Sequence, residues 1–123
     1  MSADTERLVR DFCAAWSRRN IDELLAFFTE DAVYHNVPLS PAEGHTAIRR
    51  VMEFFVPPAE SIEFQVLGMA STGAVVFTER LDRFVIGGKT VELPVAGVFE
   101  LEAGKIRAWR DYFDMATWTR QTA

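Results

Sequence analysis

Arg80 and Asp82 lie two residues apart in Val75-Val76-Phe77-Thr78-Glu79-Arg80-Leu81-Asp82-Arg83-Phe84, and Asp111 follows later in Trp109-Arg110-Asp111-Tyr112-Phe113-Asp114. Two carboxylates sharing one guanidinium can do acid–base chemistry. In a dry pocket the group carries one excess negative charge when fully ionised, and a single retained proton makes it neutral. One aspartate is then an acid and its partner a base, both positioned by the arginine. Keeping an aspartic acid protonated near pH 7 requires raising it by roughly 3 units from ~3.9, or about 4 kcal/mol. Burial beside a like-charged neighbour supplies shifts of that size.

Whether the three residues meet depends on strand register. The 75–84 segment is rich in Val, Phe and Thr and is bounded by Gly73 and Gly87-Gly88, so it is predicted as a strand. Alternate residues share a face, which groups Val76, Thr78, Arg80, Asp82 and Phe84. Gly87-Gly88 predicts a two-residue hairpin turn pairing Ile86 with Lys89, hence Arg80 with Val95 and Asp82 with Leu93. A three-residue loop at Glu102-Ala103-Gly104 then sets Asp111 opposite Val95 and Phe113 opposite Leu93. Arg80 and Asp111 are separated by roughly 10 Å at the backbone, and the guanidinium reaches over Val95. A two-residue loop would instead send Asp111 to the opposite face. The competing reading is a surface Arg80–Asp82 pair beside an unrelated acid, because both strands carry charges on both faces. A face otherwise made of Phe84, Leu93, Val95 and Phe113 favours the triad, since an unpaired charge there costs several kcal/mol.

The elements that must position these residues begin with helices. Val9, Phe12, Cys13 and Trp16 follow helical spacing within 5–19. Asn20 with Glu23 resembles a capping box opening a short helix through Phe28. Ile48, Val51, Met52 and Phe55 form the stripe of a helix over 46–55, stopped by Pro57-Pro58. Between them, 31–37 reads as a short strand ended by Pro38, with Tyr34 and Asn36 on one face and His35 on the other, and 41–44 reads as a loop. A phenol and a carboxamide side by side can hold a water. Packing of Tyr34 and a turn role for Asn36 account for the same pair. From Ser61 onward the chain reads as strand, an antiparallel meander opened by Ile62, Phe64 and Val66. The expected fold class is α+β in one domain spanning 1–123: a cone-shaped, curved, mostly antiparallel β-sheet covered by N-terminal helices around an apolar pocket. Trp16, Phe27, Phe28, Phe54 and Phe55 read as core rather than as a ligand box.

Composition narrows the chemistry. Of 123 residues, 49% are hydrophobic and 10 are Phe, enough for a core with a pocket, while a net charge of −5 disfavours nucleic acid. Arg18-Arg19 and Arg49-Arg50 are helix-face pairs rather than a basic patch. His35 and His45 are too few and too distant for a metal site, and no metal is expected. No Ser-His-acid order, phosphate loop or dinucleotide fingerprint occurs. Cys13 stands alone, which excludes an internal disulfide and fits a reducing compartment. No apolar run approaches membrane-spanning length, and Met1-Ser2-Ala3-Asp4 is polar, unlike a secretion signal, so a soluble cytoplasmic protein is expected.

Tyr34-His35-Asn36-Val37-Pro38-Leu39, Thr78-Glu79-Arg80-Leu81-Asp82, Gly97-Val98-Phe99 with Gly104-Lys105-Ile106, and Trp109-Arg110-Asp111-Tyr112-Phe113-Asp114 together resemble the limonene-1,2-epoxide hydrolase family, from about Thr5 to Trp118. The resemblance implies the cone-shaped fold shared with nuclear transport factor 2, ketosteroid isomerases and SnoaL-like polyketide cyclases, and homodimers packed through the sheet. It implies Asp111 as the general base on the attacking water, Asp82 as the general acid on the epoxide oxygen, Arg80 as their link, and Tyr34 and Asn36 as the pair orienting the water. His35 matches no position of the family's motif. The implied reaction adds water to a hydrophobic epoxide in one step, giving a vicinal diol without a covalent ester or a cofactor. Phe84, Leu93, Val95, Phe113 and Phe64 would then line the substrate. Two rivals stand beside it: a cyclase or isomerase on the same fold, and a non-catalytic small-molecule-binding or dimerisation module.

Overall fold

A computed structural model describes residues 2–123; Met1, which opens the polar start, lies outside the described residues. Helix α1 (Ser2–Ala15) buries Val9, Phe12 and Cys13 and passes into a 3-10 turn at Trp16–Arg18. The helix expected to reach residue 19 stops there because Arg19 adopts a left-handed conformation (φ 54) and its N–H closes on the Trp16 carbonyl. Helix α2 (Ile21–Leu25) is capped by Asn20, whose side chain accepts from the Glu23 N–H. The Glu23 carboxylate pairs with Arg18 at 2.7 Å, so the capping box forms by half. The helix ends before Phe28, which instead opens strand β1 (Phe28–Asn36). Where a loop was expected, β2 (Ala42–Glu43) pairs antiparallel with β1, and α3 (Gly44–Phe55) follows.

Strands β3 (Ala59–Thr72), β4 (Val75–Ile86), β5 (Lys89–Glu102) and β6 (Lys105–Tyr112) form the expected meander. The curved six-stranded sheet has the order β2-β1-β6-β5-β4-β3, with β1 parallel to β6 and every other pair antiparallel. The fold class is thus the α+β one expected. The chain is not strand to its end: α4 (Met115–Thr122) follows β6. Its sequence, Met-Ala-Thr-Trp-Thr-Arg-Gln-Thr, has no apolar stripe and three β-branched residues, so periodicity does not reveal it. The signal was local instead. Asp114 caps the helix, accepting from the Ala116 N–H at 3.0 Å and the Thr117 hydroxyl at 3.1 Å. No described helix is long and apolar enough to cross a membrane.

The two hairpins set the register of the site. Gly87-Gly88 turns β4 into β5 as expected, pairing Arg80 with Val95 and Asp82 with Leu93. The second turn departs from expectation. It has two residues, Ala103 and Gly104, both at positive φ (51° and 78°), with Glu102 paired to Lys105. On its own this would put Asp111 on the outer face. A bulge restores the parity: Leu101 pairs with Ile106 but Glu100 pairs with Ala108, leaving Arg107 as the extra residue on β6. Asp111 therefore faces inward opposite Gly97, not Val95, and Phe113 lies beyond the end of β6 rather than opposite Leu93.

Candidate active site

Strand alternation delivers the inward-facing residues. On β4, Val76, Thr78, Arg80, Asp82 and Phe84 are buried while Phe77 and Glu79 are exposed. The parallel pairing of β1 with β6 sets Tyr34 beside Trp109 and Asn36 beside Asp111. The structure thus brings Arg80, Asp82, Asp111, Tyr34 and Asn36 onto one buried face, each at most 6% exposed.

Arg80 commits its whole donor set. Nε donates to Asp82 Oδ1 at 3.0 Å and Nη2 to Asp82 Oδ2 at 2.8 Å. Nη2 also donates to Asp111 Oδ2 at 2.7 Å, and Nη1 to Asp111 Oδ1 at 3.1 Å. The last N–H goes to the Thr78 hydroxyl at 3.3 Å. A guanidinium has five N–H donors in a fixed fork, and here every one is used, four of them on the two carboxylates. Its flat faces lie against aromatic rings, 4.9 Å from the Phe64 centroid and 5.8 Å from that of Trp109.

Gly97 makes the crossing possible. A Cβ at this position would lie 2.5 Å from Arg80 Nη1, 2.8 Å from Asp111 Oδ1 and 2.9 Å from the Thr78 hydroxyl. The guanidinium passes over the space where β5 has no side chain, in the row Thr78–Gly97–Asp111, rather than over Val95.

The two acids differ in their surroundings. Among the described residues Asp82 has only Arg80 as a donor, whereas Asp111 Oδ1 also accepts from the Trp109 indole N–H at 2.7 Å. Burial pushes the Asp82 carboxyl up to about 6, against the attraction of Arg80 and with a further push from the Asp111 charge. For Arg80 burial works the other way, but the Asp111 and Asp82 charges outweigh it and hold the guanidinium protonated. Burial, reinforced by the Asp111 charge, raises the Tyr34 phenol, which therefore stays neutral and donates to Asn36 Oδ1 at 3.3 Å.

Trp109 was absent from the sequence-predicted set. Its ring stacks on Tyr34 (centroids 4.2 Å apart, planes 5° apart), so it supports the phenol and contacts Asp111 at once. The spacing carried a signal: residues 109 and 111 share a strand face, and a buried indole N–H needs an acceptor.

Asp82, Asp111, Tyr34 and Asn36 line a cavity of about 250 Å³. The sequence-predicted Phe64, Phe84, Leu93, Val95 and Phe113 also line it, although Phe113 does so from beyond β6. Trp16 and Phe55 belong to the core or pack against it, as read from the sequence, and also form part of the cavity wall. Phe54 lies outside the core and only lines the cavity; Phe27 and Phe28 pack in the core. Phe54 (64% exposed) and Leu39 (52%) mark its open end, near Met115 and Trp118 of α4. His35 points away and its Nε2 pairs with the Leu39 carbonyl at 2.9 Å. Among the described residues, no group of three or more His, Cys, Asp or Glu could hold a metal ion.

Comparison with known proteins identifies the family. The family described as limonene-1,2-epoxide hydrolase catalytic domain matches residues 3–123. The chain is 35% identical over 111 residues to epoxide hydrolase EphG of Mycobacterium tuberculosis, covering 87% of this chain and 71% of that protein. A solved LEH-like epoxide hydrolase from M. tuberculosis superposes with a TM-score of 0.85 at 31% identity, over 98% of this chain and 90% of the other. A candidate polyketide cyclase from Xanthomonas campestris reaches a TM-score of 0.88 over 99% and 98% of the two chains, but at 19% identity it shares the fold alone.

Two consequences are measurable. Gly97→Ala forces a methyl into the Arg80–Asp111 contact and should lower unfolding free energy in urea by about 1–3 kcal/mol, as overpacking does. Wild-type stability in that variant would mean the guanidinium does not cross at this point. The second concerns pH. The Asp82 carboxyl is raised from 3.8 to about 6, so the folded state holds its proton more tightly than the unfolded chain. Its contribution to stability is full below pH 3.8 and is lost as pH rises through about 6. Relative to Asp82→Asn, the wild-type protein should lose about 2 kcal/mol between pH 4 and 7, at ~1.36 kcal/mol per unit, since the unfolded carboxyl is already partly ionised at pH 4. Parallel stability–pH curves for the two proteins would contradict this.

Proposed function

This chain belongs to the limonene-1,2-epoxide hydrolase family and is an epoxide hydrolase; from that premise we propose that it adds water to a hydrophobic epoxide in one acid–base step run by Asp82, Arg80 and Asp111. The observation that carries this reading is the commitment of every Arg80 N–H, four of them to two buried carboxylates that open into an apolar cavity. An isomerase or cyclase shifting a proton beside a carbonyl needs one base and an oxyanion donor, and the second carboxylate would have no task.

In the proposed step a water donates one hydrogen to Asp111 and the other to the Tyr34 phenolic oxygen, and accepts from the Asn36 amide. The Tyr34–Asn36 hydrogen bond fixes the carboxamide so that its N–H side is offered. As Asp111 removes the proton, the water oxygen bonds to an epoxide carbon. The carbon–oxygen bond of the ring breaks, its electron pair stays on oxygen, and the Asp82 proton neutralises it. The product is a vicinal diol. The proton count of the triad is unchanged, and one proton has passed from Asp82 to Asp111. Moving it back between two carboxylates held by the same Nη2 resets the site. Base and acid act together because neither is strong alone near neutral pH. The apolar walls of Phe64, Phe84, Leu93, Val95 and Phe113 select a greasy substrate and strengthen the charges by excluding water.

We also infer a homodimer formed through the outer sheet face. Phe77 (43% exposed), Tyr112 (45%) and Leu67 (57%) present apolar surface there, and Leu67, Leu81, Pro94 and Ala96 line a shallow recess.

Asp111→Asn should lower diol formation from a panel of cyclic and aliphatic epoxides by about 10²–10⁴-fold, since an amide cannot take the proton. Asp82→Asn should be nearly as damaging, and Arg80→Lys poor, because an ammonium cannot fork to both carboxylates. Activity of Asp111→Asn within a few-fold of wild type would remove that residue from the mechanism. Light scattering should give twice the 13.9 kDa chain mass, and a single-chain mass would refute the dimer.

A further inference from the structure

Asp111 has two oxygens, and the structure treats them unequally. Among the described residues Oδ1 accepts from two N–H groups, Arg80 Nη1 at 3.1 Å and Trp109 Nε1 at 2.7 Å, whereas Oδ2 accepts only from Arg80 Nη2 at 2.7 Å. A carboxylate oxygen offers two in-plane lone-pair sites. Both sites on Oδ1 are therefore occupied, and one on Oδ2 is open. We propose that the Trp109 indole N–H is a positioning group that closes Oδ1 and leaves Oδ2 as the atom that takes the proton from water. The inference rests on the acid–base reading of the triad and adds the oxygen involved and the residue that selects it.

Trp109 suits this role because it is packed between aromatic rings. It is fully buried, with Tyr34 stacked at 4.2 Å and Phe99 at 5.5 Å, and Phe12 edge-on at 4.9 Å. It does not line the cavity, so it acts on the reaction only through Asp111 and Tyr34. Without the indole N–H, Oδ1 regains an open site and can accept the water hydrogen from the wrong side of the carboxylate. The attacking oxygen then leaves the line set by Tyr34 and Asn36. The ionised carboxylate also loses a donor. Around it stand Arg80, Asp82 and Thr78 on β4, Tyr34 and Asn36 on β1, and Cys13 on α1, whose thiol burial pushes up to about 12. None of these supplies a replacement N–H at Oδ1 beyond the one Arg80 already gives.

The test is a pH series of kcat and KM for diol formation in the wild type, in Trp109→Phe, and in protein carrying β-(3-benzothienyl)alanine at position 109. The benzothienyl side chain keeps the ring volume and both stacking faces and replaces only the N–H, so it decides the matter if the phenylalanine variant folds poorly. In the isosteric protein kcat should fall about tenfold or more, the loss of one hydrogen bond to a charged group. KM should stay within about twofold, because the cavity wall is untouched. The acid limb of kcat should move up relative to the wild-type profile, because the two carboxylates together have one donor fewer. A purely structural role would lower the melting temperature without moving that limb. Turnover and acid limb unchanged in the isosteric protein, with normal wild-type activity, overturn the role of Trp109 alone. No diol from the wild-type protein on any epoxide overturns the reading of the reaction beneath it.

Discussion

Removing a guanidinium and two carboxylates from water costs several kcal/mol per ion, and only near-complete pairing makes such burial tolerable. Arg80, 1% exposed, meets that condition by spending every N–H, and the surrounding chain is shaped to let it. Gly97 clears the path across β5. The bulge at Glu100/Leu101 turns Asp111 inward after a turn that would have faced it out. Phe64 and Trp109 cover the guanidinium and keep water from competing for it.

The same constraint generates the chemistry. Three charges of which two are negative do not sum to zero, and a low-dielectric cavity favours one proton held in the group. Burial raises the Asp82 carboxyl, which has fewer donors, while Asp111 gains a further one in the Trp109 N–H. On the proposed mechanism, a site that must be electrically satisfied to fold is in this way already divided into acid and base. In the proposed reaction the apolar walls do two tasks with one set of side chains: they would admit a greasy epoxide and maintain the dryness that makes the division hold.

What could be read from the sequence was what local rules govern. Gly87-Gly88 specified its turn, so the pairing of Arg80 with Val95 and Asp82 with Leu93 followed by counting. Alternation placed Tyr34 and Asn36 together with His35 opposed. The second hairpin defied counting, because Ala103 takes a positive φ that its type disfavours and because a bulge has no residue signature of its own. The expected three-residue loop and the actual two-residue turn plus bulge put Asp111 on the same face, but one leads over Val95 and the other over Gly97. Helix α4 escaped notice because tertiary contacts of Trp118 with Phe55 and Phe84, not a sequence stripe, hold it. Phe54 looked like core because an apolar pocket wall and an apolar core share one composition.

The most direct test of the account is a single turnover with enzyme in excess over a small cyclic epoxide in oxygen-18 water. If Asp111 acts as a base on a free water, the diol released in that first turnover carries the label and the protein carries none. An unlabelled first-turnover diol, with its new oxygen drawn from an aspartate side chain, would mean that a carboxylate attacks carbon, and the division into acid and base would be wrong.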